Sequence, residues 1–89
     1  MGQLPLSLDQ QRIALCHVLK HARTKAGFKQ VDLAARLSVT QSYVSKYEAG
    51  NRRLDLFELL AVCDVLGIEL GTVLAEVRSE LTRGVNIET

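Results

Sequence analysis

Gln41, Ser42, Ser45 and Lys46 recur at i, i+1, i+4 and i+5, a spacing that puts all four on one face of an α-helix. That face carries hydrogen-bond donors and acceptors, one positive charge and no large aliphatic group. Base pairs differ in the major groove by their donor and acceptor pattern, so a helix of about two turns with such a face can enter the groove and read it. The chain offers no comparable arrangement for catalysis. Ser42 and Ser45 lie near no histidine and acid in a triad-like order, there is no glycine-rich phosphate loop, and no enzyme is expected. His17 and His21 have the i, i+4 spacing of a zinc-binding pair, but no Glu stands between them in the zinc-protease manner. Without an evident third ligand, neither a metal nor another cofactor is expected.

The polar face needs a frame, and the segment QVDLAARLSVTQSYVSKYEAG supplies one. Leu33, Ala34 and Leu37 make one apolar stripe; Val39, Val44 and Tyr47 make a second, with only a tight corner at Ser38 between them. Tyr47 continues the Val44 stripe and is therefore core, not reader. Helix two is predicted over Gln30–Leu37 and helix three over Gln41–Ala49, with Thr40 as N-cap and Gly50 as the stop. Ser7 and Gln10 have capping-box spacing, which starts helix one at Leu8 or Asp9. Its expected inward line is Ile13, Leu15, Leu19 and Ala22, and Gly27 closes it after Ala26. Asp55 and Glu58 repeat the capping-box spacing before helix four, Leu56–Leu66, which is expected to bury Leu56, Leu59, Leu60, Cys63 and Leu66. Helix five, from Glu69 or Leu70 to about Thr82, carries Leu70, Val73, Leu74, Val77 and Leu81 along one face. The expected organisation is a lead-in over residues 1–8, one all-α domain over 9–82 and a tail over 83–89, the last frayed or a short extended arm.

Composition sets the class. The 89 residues suit one domain with no second, ligand-sensing one, and 47% apolar against 24% charged residues argues for a packed core rather than disorder. With 4% aromatic residues the core must be Leu, Val, Ile and Ala, which suits closely packed small helices. No apolar run approaches the roughly 20 residues of a membrane span, and no signal sequence is seen, so a soluble cytoplasmic protein is expected. Cys16 and Cys63 sit in helical apolar patterns and read as two reduced core thiols. The net charge of +1 hides a strong asymmetry. From Arg12 to Arg53 the balance is +7, and from Leu54 onward it is −5. The basic part coincides with the helical corner, as expected if it faces phosphates while the acidic part faces protein or water.

The segment GFKQVDLAARLSVTQSYVSKYEAGNRRLD, set in five helices of which the second and third form a turn, closely resembles the Cro/Xre-like helix-turn-helix family of phage and bacterial repressors. The match runs from about Leu15 to Leu74, with Ala34 where the helices cross and the closing Glu48-Ala49-Gly50. The resemblance implies a five-helix, lambda-repressor-like DNA-binding fold. It implies that Gln30 holds a DNA phosphate and braces the first residue of helix three, and that the Thr40 hydroxyl caps that helix and can reach phosphate. It assigns base reading to Gln41, Ser42 and Lys46: the glutamine amide can pair with adenine and the lysine can donate to guanine. Tyr43 lies at the flank, within reach of a thymine methyl or a phosphate, and Asn51, Arg52 and Arg53 match the loop that meets the backbone. Arg23 and Glu48 match a structural ion pair that clamps helix one to the end of helix three.

Two positions depart from the family. Ser38 stands where Gly is common and can demand positive φ, at a cost of about 1 kcal/mol. Lys29 replaces the usual Ser or Thr, so helix two lacks its N-cap side chain, a loss of about 0.5–2 kcal/mol, while gaining a charge beside the expected phosphates. In related repressors the last helix makes a symmetric dimer, which points to Val73, Val77 and Leu81 as a homodimer interface here. The reading is a sequence-specific, double-stranded-DNA-binding transcriptional regulator, a repressor binding a palindromic operator as a homodimer. The alternative is an antitoxin-like interaction module whose helix five or tail engages a protein partner, with DNA binding secondary.

Overall fold

The computed structural model describes residues 7–88, which form five α-helices and, among the described residues, no strand. They are α1 (Leu8–Lys25), α2 (Gln30–Leu37), α3 (Gln41–Glu48), α4 (Leu56–Leu66) and α5 (Leu70–Glu88). Met1–Leu6 of the predicted lead-in and Thr89 lie outside the described residues. No described helix is long and apolar enough to cross a membrane.

Local chemistry sets the helix ends. At α1 the Ser7 hydroxyl accepts from the Gln10 N–H and the Gln10 side chain accepts from the Ser7 N–H, a reciprocal box that satisfies two otherwise orphaned donors. Asp55 and Glu58 do the same for α4, and the Thr40 hydroxyl accepts from Tyr43 N–H at 3.1 Å to start α3. At α2 only the reciprocal half exists: Asp32 accepts from the Lys29 N–H, and the Lys29 ammonium has nothing with which to accept.

The first four helices share one kind of ending. In each, the N–H of the residue that follows the turn residue (Gly27, Ser38, Gly50 or Gly67) returns to a carbonyl five positions back: Phe28 to Arg23, Val39 to Ala34, Asn51 to Lys46, and Ile68 to Cys63. This closure needs a residue in the left-handed region. Three of the turns place Gly there, and the turn between α2 and α3 uses Ser38, at φ 59° and ψ 41°. Ser38 is the only described non-glycine residue at positive φ. The corner of the helix-turn-helix is thus built against a steric penalty.

The core is made by Val18 and Leu19 of α1, Leu33 and Ala34 of α2, Val44 and Tyr47 of α3, Leu59, Val62 and Cys63 of α4, and Val73 of α5. α1 packs chiefly against α5, and α2 packs against α3. Several expected positions are corrected. Ile13 is exposed; it lies roughly 200° around α1 from Leu15, and Ala14 and Val18 face inward instead. Leu56 has the right phase but sits in the first turn of α4 and stays exposed, while Val62 is wholly enclosed. Leu74 is 47% exposed, whereas Val73 is fully buried within its own chain and so is core, not a surface offered to a partner. α5 runs on to Glu88, six residues past its expected end, so the tail is neither frayed nor an extended arm over 83–88.

Ser38→Gly relieves the left-handed penalty and should stabilise the fold by about 0.5–1 kcal/mol, less than the full steric cost because glycine also frees the unfolded chain. In a domain of this size that raises the thermal midpoint by a few degrees, roughly 2–8 °C, in a calorimetric scan.

Candidate nucleic-acid interface

A buried ion pair holds the helix-turn-helix to the rest of the domain. Arg23, near the end of α1, donates from Nε to Glu48 Oε2 at 2.6 Å and from a terminal nitrogen to Glu48 Oε1 at 3.0 Å. Both side chains are shielded, at 8% and 3% exposure. The second terminal nitrogen of Arg23 donates to the Phe28 carbonyl at 2.7 Å, so one guanidinium ties α1, the loop before α2 and the last residue of α3. Gln30 completes the set by donating from Nε2 to Glu48 Oε1 at 3.0 Å. The expected brace from Gln30 to Gln41 is not made; the amide reaches the other end of α3. The structural ion pair expected of Arg23 and Glu48 is present and has three elements hanging on it.

The polar face of α3 lies clear of this network. Gln41, Ser42, Ser45 and Lys46 are all exposed, and none makes a side-chain hydrogen bond among the described residues. Their neighbours Val44 and Tyr47 are buried on the opposite side of α3, so the helix is pinned by one face and presents the other. Thr40 and Asn51, at the two ends of α3, are exposed, as are Lys29 before α2 and Arg53 before α4. Asn51 lies just past the α3 stop, where its N–H donates to the Lys46 carbonyl at 2.8 Å.

Tyr43 and Arg52 are held differently. The Tyr43 hydroxyl donates to Glu58 Oε2 at 2.8 Å, and Arg52 donates to the same oxygen at 3.0 Å. The Arg52 guanidinium lies 4.0 Å from the centre of the Tyr43 ring, a cation–π contact. The second Glu58 oxygen accepts from the Asp55 N–H at 2.8 Å. Hydrogen bonds from Arg52, from the Asp55 backbone and from Tyr43 hold the Glu58 carboxyl down at about 2. Burial first, and the Glu58 hydrogen bond second, push the Tyr43 phenol up. The capping-box spacing marked Glu58 as a helix start; nothing in the sequence signalled that the same carboxylate would gather Tyr43 and Arg52.

Elsewhere, His17 Nδ1 lies 2.9 Å from Glu80 Oε2 and joins α1 to α5 beside a groove of about 490 Å³ that His21, Glu76 and Arg83 also line. Among the described residues no three His, Cys, Asp or Glu side chains converge as metal ligands. The two cysteines are not bridged: Cys63 is buried, and Cys16 donates from Sγ to the Tyr47 carbonyl, with burial pushing its thiol up.

A family model described as helix-turn-helix matches residues 19–73, from inside α1 to the first turn of α5. An XRE-family like protein from Pseudomonas syringae is 38% identical, with 79% of this chain and 85% of that one covered and a TM-score of 0.72. This chain belongs to the XRE, or Cro/C1-type, helix-turn-helix family. It is a DNA-binding transcription regulator with the all-α fold of that family. The structure is also similar to the clp gene regulator ClgR from Corynebacterium glutamicum, at 28% identity and a TM-score of 0.83 over 94% of this chain and 85% of that one. The restriction-modification controller protein C.Esp1396I shares the fold at 22% identity, with a TM-score of 0.73 over 86% of this chain and 99% of that one. No curated protein matches the chain.

Removing one member of the buried pair strands its partner. Glu48→Ala should destabilise the fold by about 3–5 kcal/mol in urea unfolding, far more than loss of an exposed charge. Glu58 makes stability pH-dependent with a definite sign. Its carboxyl is depressed in the fold, so its contribution is complete above the ordinary value of 4.5 and is lost as pH falls through about 2. Thermal midpoints should therefore drop from pH 4.5 toward pH 2, and Glu58→Gln should remove part of that drop.

Proposed function

We propose that the protein is a sequence-specific repressor that binds a palindromic operator as a homodimer and occludes the promoter. The observation that carries this reading is the α3 face of Gln41, Ser42, Ser45 and Lys46, exposed and, among the described residues, without side-chain hydrogen bonds, on a helix whose other side is locked in the core. Gln41, Ser42 and Lys46 read base edges in the major groove. Phosphate contacts from Gln30, Thr40, Lys29, Asn51 and Arg53 set the register, with Tyr43 and Arg52 at the flank. One further donor hydrogen on the Gln30 amide remains for a phosphate beside its bond to Glu48.

A groove between the start of α1 and α5 supports the dimer. Leu8, Leu15, Leu74 and Val77 line it, and Leu81 extends it along α5. Leu8 and Leu74 are exposed, and Val77 and Leu81 half-buried, so an apolar strip is available to a second copy. With Val73 enclosed in the core, Leu74 takes its place beside Val77 and Leu81 in the proposed interface. Two recognition helices related by that contact would meet half-sites about 34 Å apart, one turn of DNA.

Selection of bound duplexes from a random pool tests both parts. The intact protein should enrich a palindrome. Gln41→Ala or Lys46→Ala should each cost about 1–3 kcal/mol on that site and less on random DNA. Leu74→Asp should give a monomer by sedimentation and leave only weak half-site enrichment. No enrichment by the folded intact protein would sink the operator-binding reading.

A further inference from the structure

Glu58 stands among the groups that the DNA-binding reading directs toward the backbone, and it carries the wrong charge for that company. Tyr43 lies between the proposed base readers Ser42 and Lys46 on α3, and Arg52 lies in the loop between α3 and α4. Tyr43 spends its one donor, and Arg52 one of its five N–H groups, on the same carboxylate oxygen.

The carboxylate does not depend on Arg52 for its position. Its other oxygen accepts from the Asp55 N–H, Asp55 Oδ1 accepts from the Glu58 N–H, and α4 starts on that exchange. Arg52 is equally fixed: its guanidinium is stacked on Tyr43, and its other terminal nitrogen donates to the Arg53 carbonyl at 2.9 Å. A phosphate that approached Arg52 would meet a cation already paired at 3.0 Å, with a like charge behind it that the Asp55 N–H holds in place. Because the Glu58 carboxyl is held at about 2, it remains ionised at any pH used for DNA binding.

Resting on the DNA-binding reading, we propose that Glu58 is a built-in competitor for DNA phosphate. It withholds the Arg52 charge from the backbone and so lowers non-specific affinity, while leaving the base-reading face untouched. Glu58 is thus a specificity-determining residue that touches no base. Non-specific binding comes almost entirely from phosphate neutralisation, so masking one cation weakens binding to random DNA more than it weakens base reading.

The test is the salt dependence of binding to a random-sequence duplex, measured by fluorescence anisotropy from 50 to 200 mM salt. Glu58→Gln keeps the side-chain shape and one acceptor oxygen, enough for the Asp55 N–H, but puts an NH2 donor where Tyr43 and Arg52 now donate and removes the charge. It should steepen the plot of log affinity against log salt by about 0.9 per protomer, so that about 3.5-fold more affinity is lost over that range. Glu58→Ser, without the isosteric amide, should steepen the plot equally. Adding Arg52→Gln to Glu58→Gln should remove the increase, and Glu76→Gln on α5, a loss of negative charge away from the α3 face, should leave the slope as in the wild type. Unchanged slopes in both Glu58 variants, or an increase that survives Arg52→Gln, would overturn the proposal while DNA binding stands. A wild-type protein that binds no duplex at any salt would overturn the DNA-binding reading and this inference together.

Discussion

The Arg23–Glu48 pair is the interaction on which the geometry of this domain depends. Two ions taken out of water are costly, and the attraction repays that cost only when the geometry is good and the remaining donors are satisfied. Both conditions are met: the contact is two-pronged, and the Phe28 carbonyl and the Gln30 amide take up adjacent capacity. Glu48 ends α3 and Arg23 nearly ends α1, so the pair sets where α3 stops relative to the end of α1. An apolar pair of equal size could fill the space but would not specify one register. The directional hydrogen bonds hold α3 against rotation about its own axis.

That fixity gives a helix of only eight residues the rigid placement that the proposed base reading requires. A short helix has no stability of its own; it persists because Val44 and Tyr47 are locked in the core and because its two ends are closed by Thr40 and by the Asn51 N–H. Everything on its other side is left uncommitted. The flank shows the opposite policy, with Tyr43, Arg52 and Glu58 committed to one another. If that commitment masks Arg52 as proposed, a domain with a net charge of +1 holds phosphate without clinging to every duplex.

Elements defined by near neighbours were legible in the sequence. The three capping residues Ser7, Thr40 and Asp55, the glycines that close α1, α3 and α4, and the stripes of α2 and α3 all fall where residue type and spacing place them. The family frame carried the Arg23–Glu48 pairing across 25 residues, which no local rule could do. Errors gathered where apolar residues surround a helix on every side. In α4 the run LFELLAVCDVL has no unique face, so Leu56 and Val62 exchanged roles; in α5 the stripe covers Val73 and Leu74 alike, and only contact with α1 separates core from surface.

The sequence by itself determined the five helices up to the length of the last, the corner at Ser38, the polar face of α3 and the family, because each depends on short-range periodicity, caps or a contiguous motif. The tertiary structure alone decided which side of α1, α4 and α5 is inside, that Gln30 braces Glu48 rather than Gln41, and that Glu58 gathers Tyr43 and Arg52. These are choices among several chemically acceptable partners. Glu58 could pair with any nearby donor, and Gln30 with any acceptor within reach. Only the packing of α4 against α2, and of α3 against α1, brings one partner to hydrogen-bond distance and takes the others away.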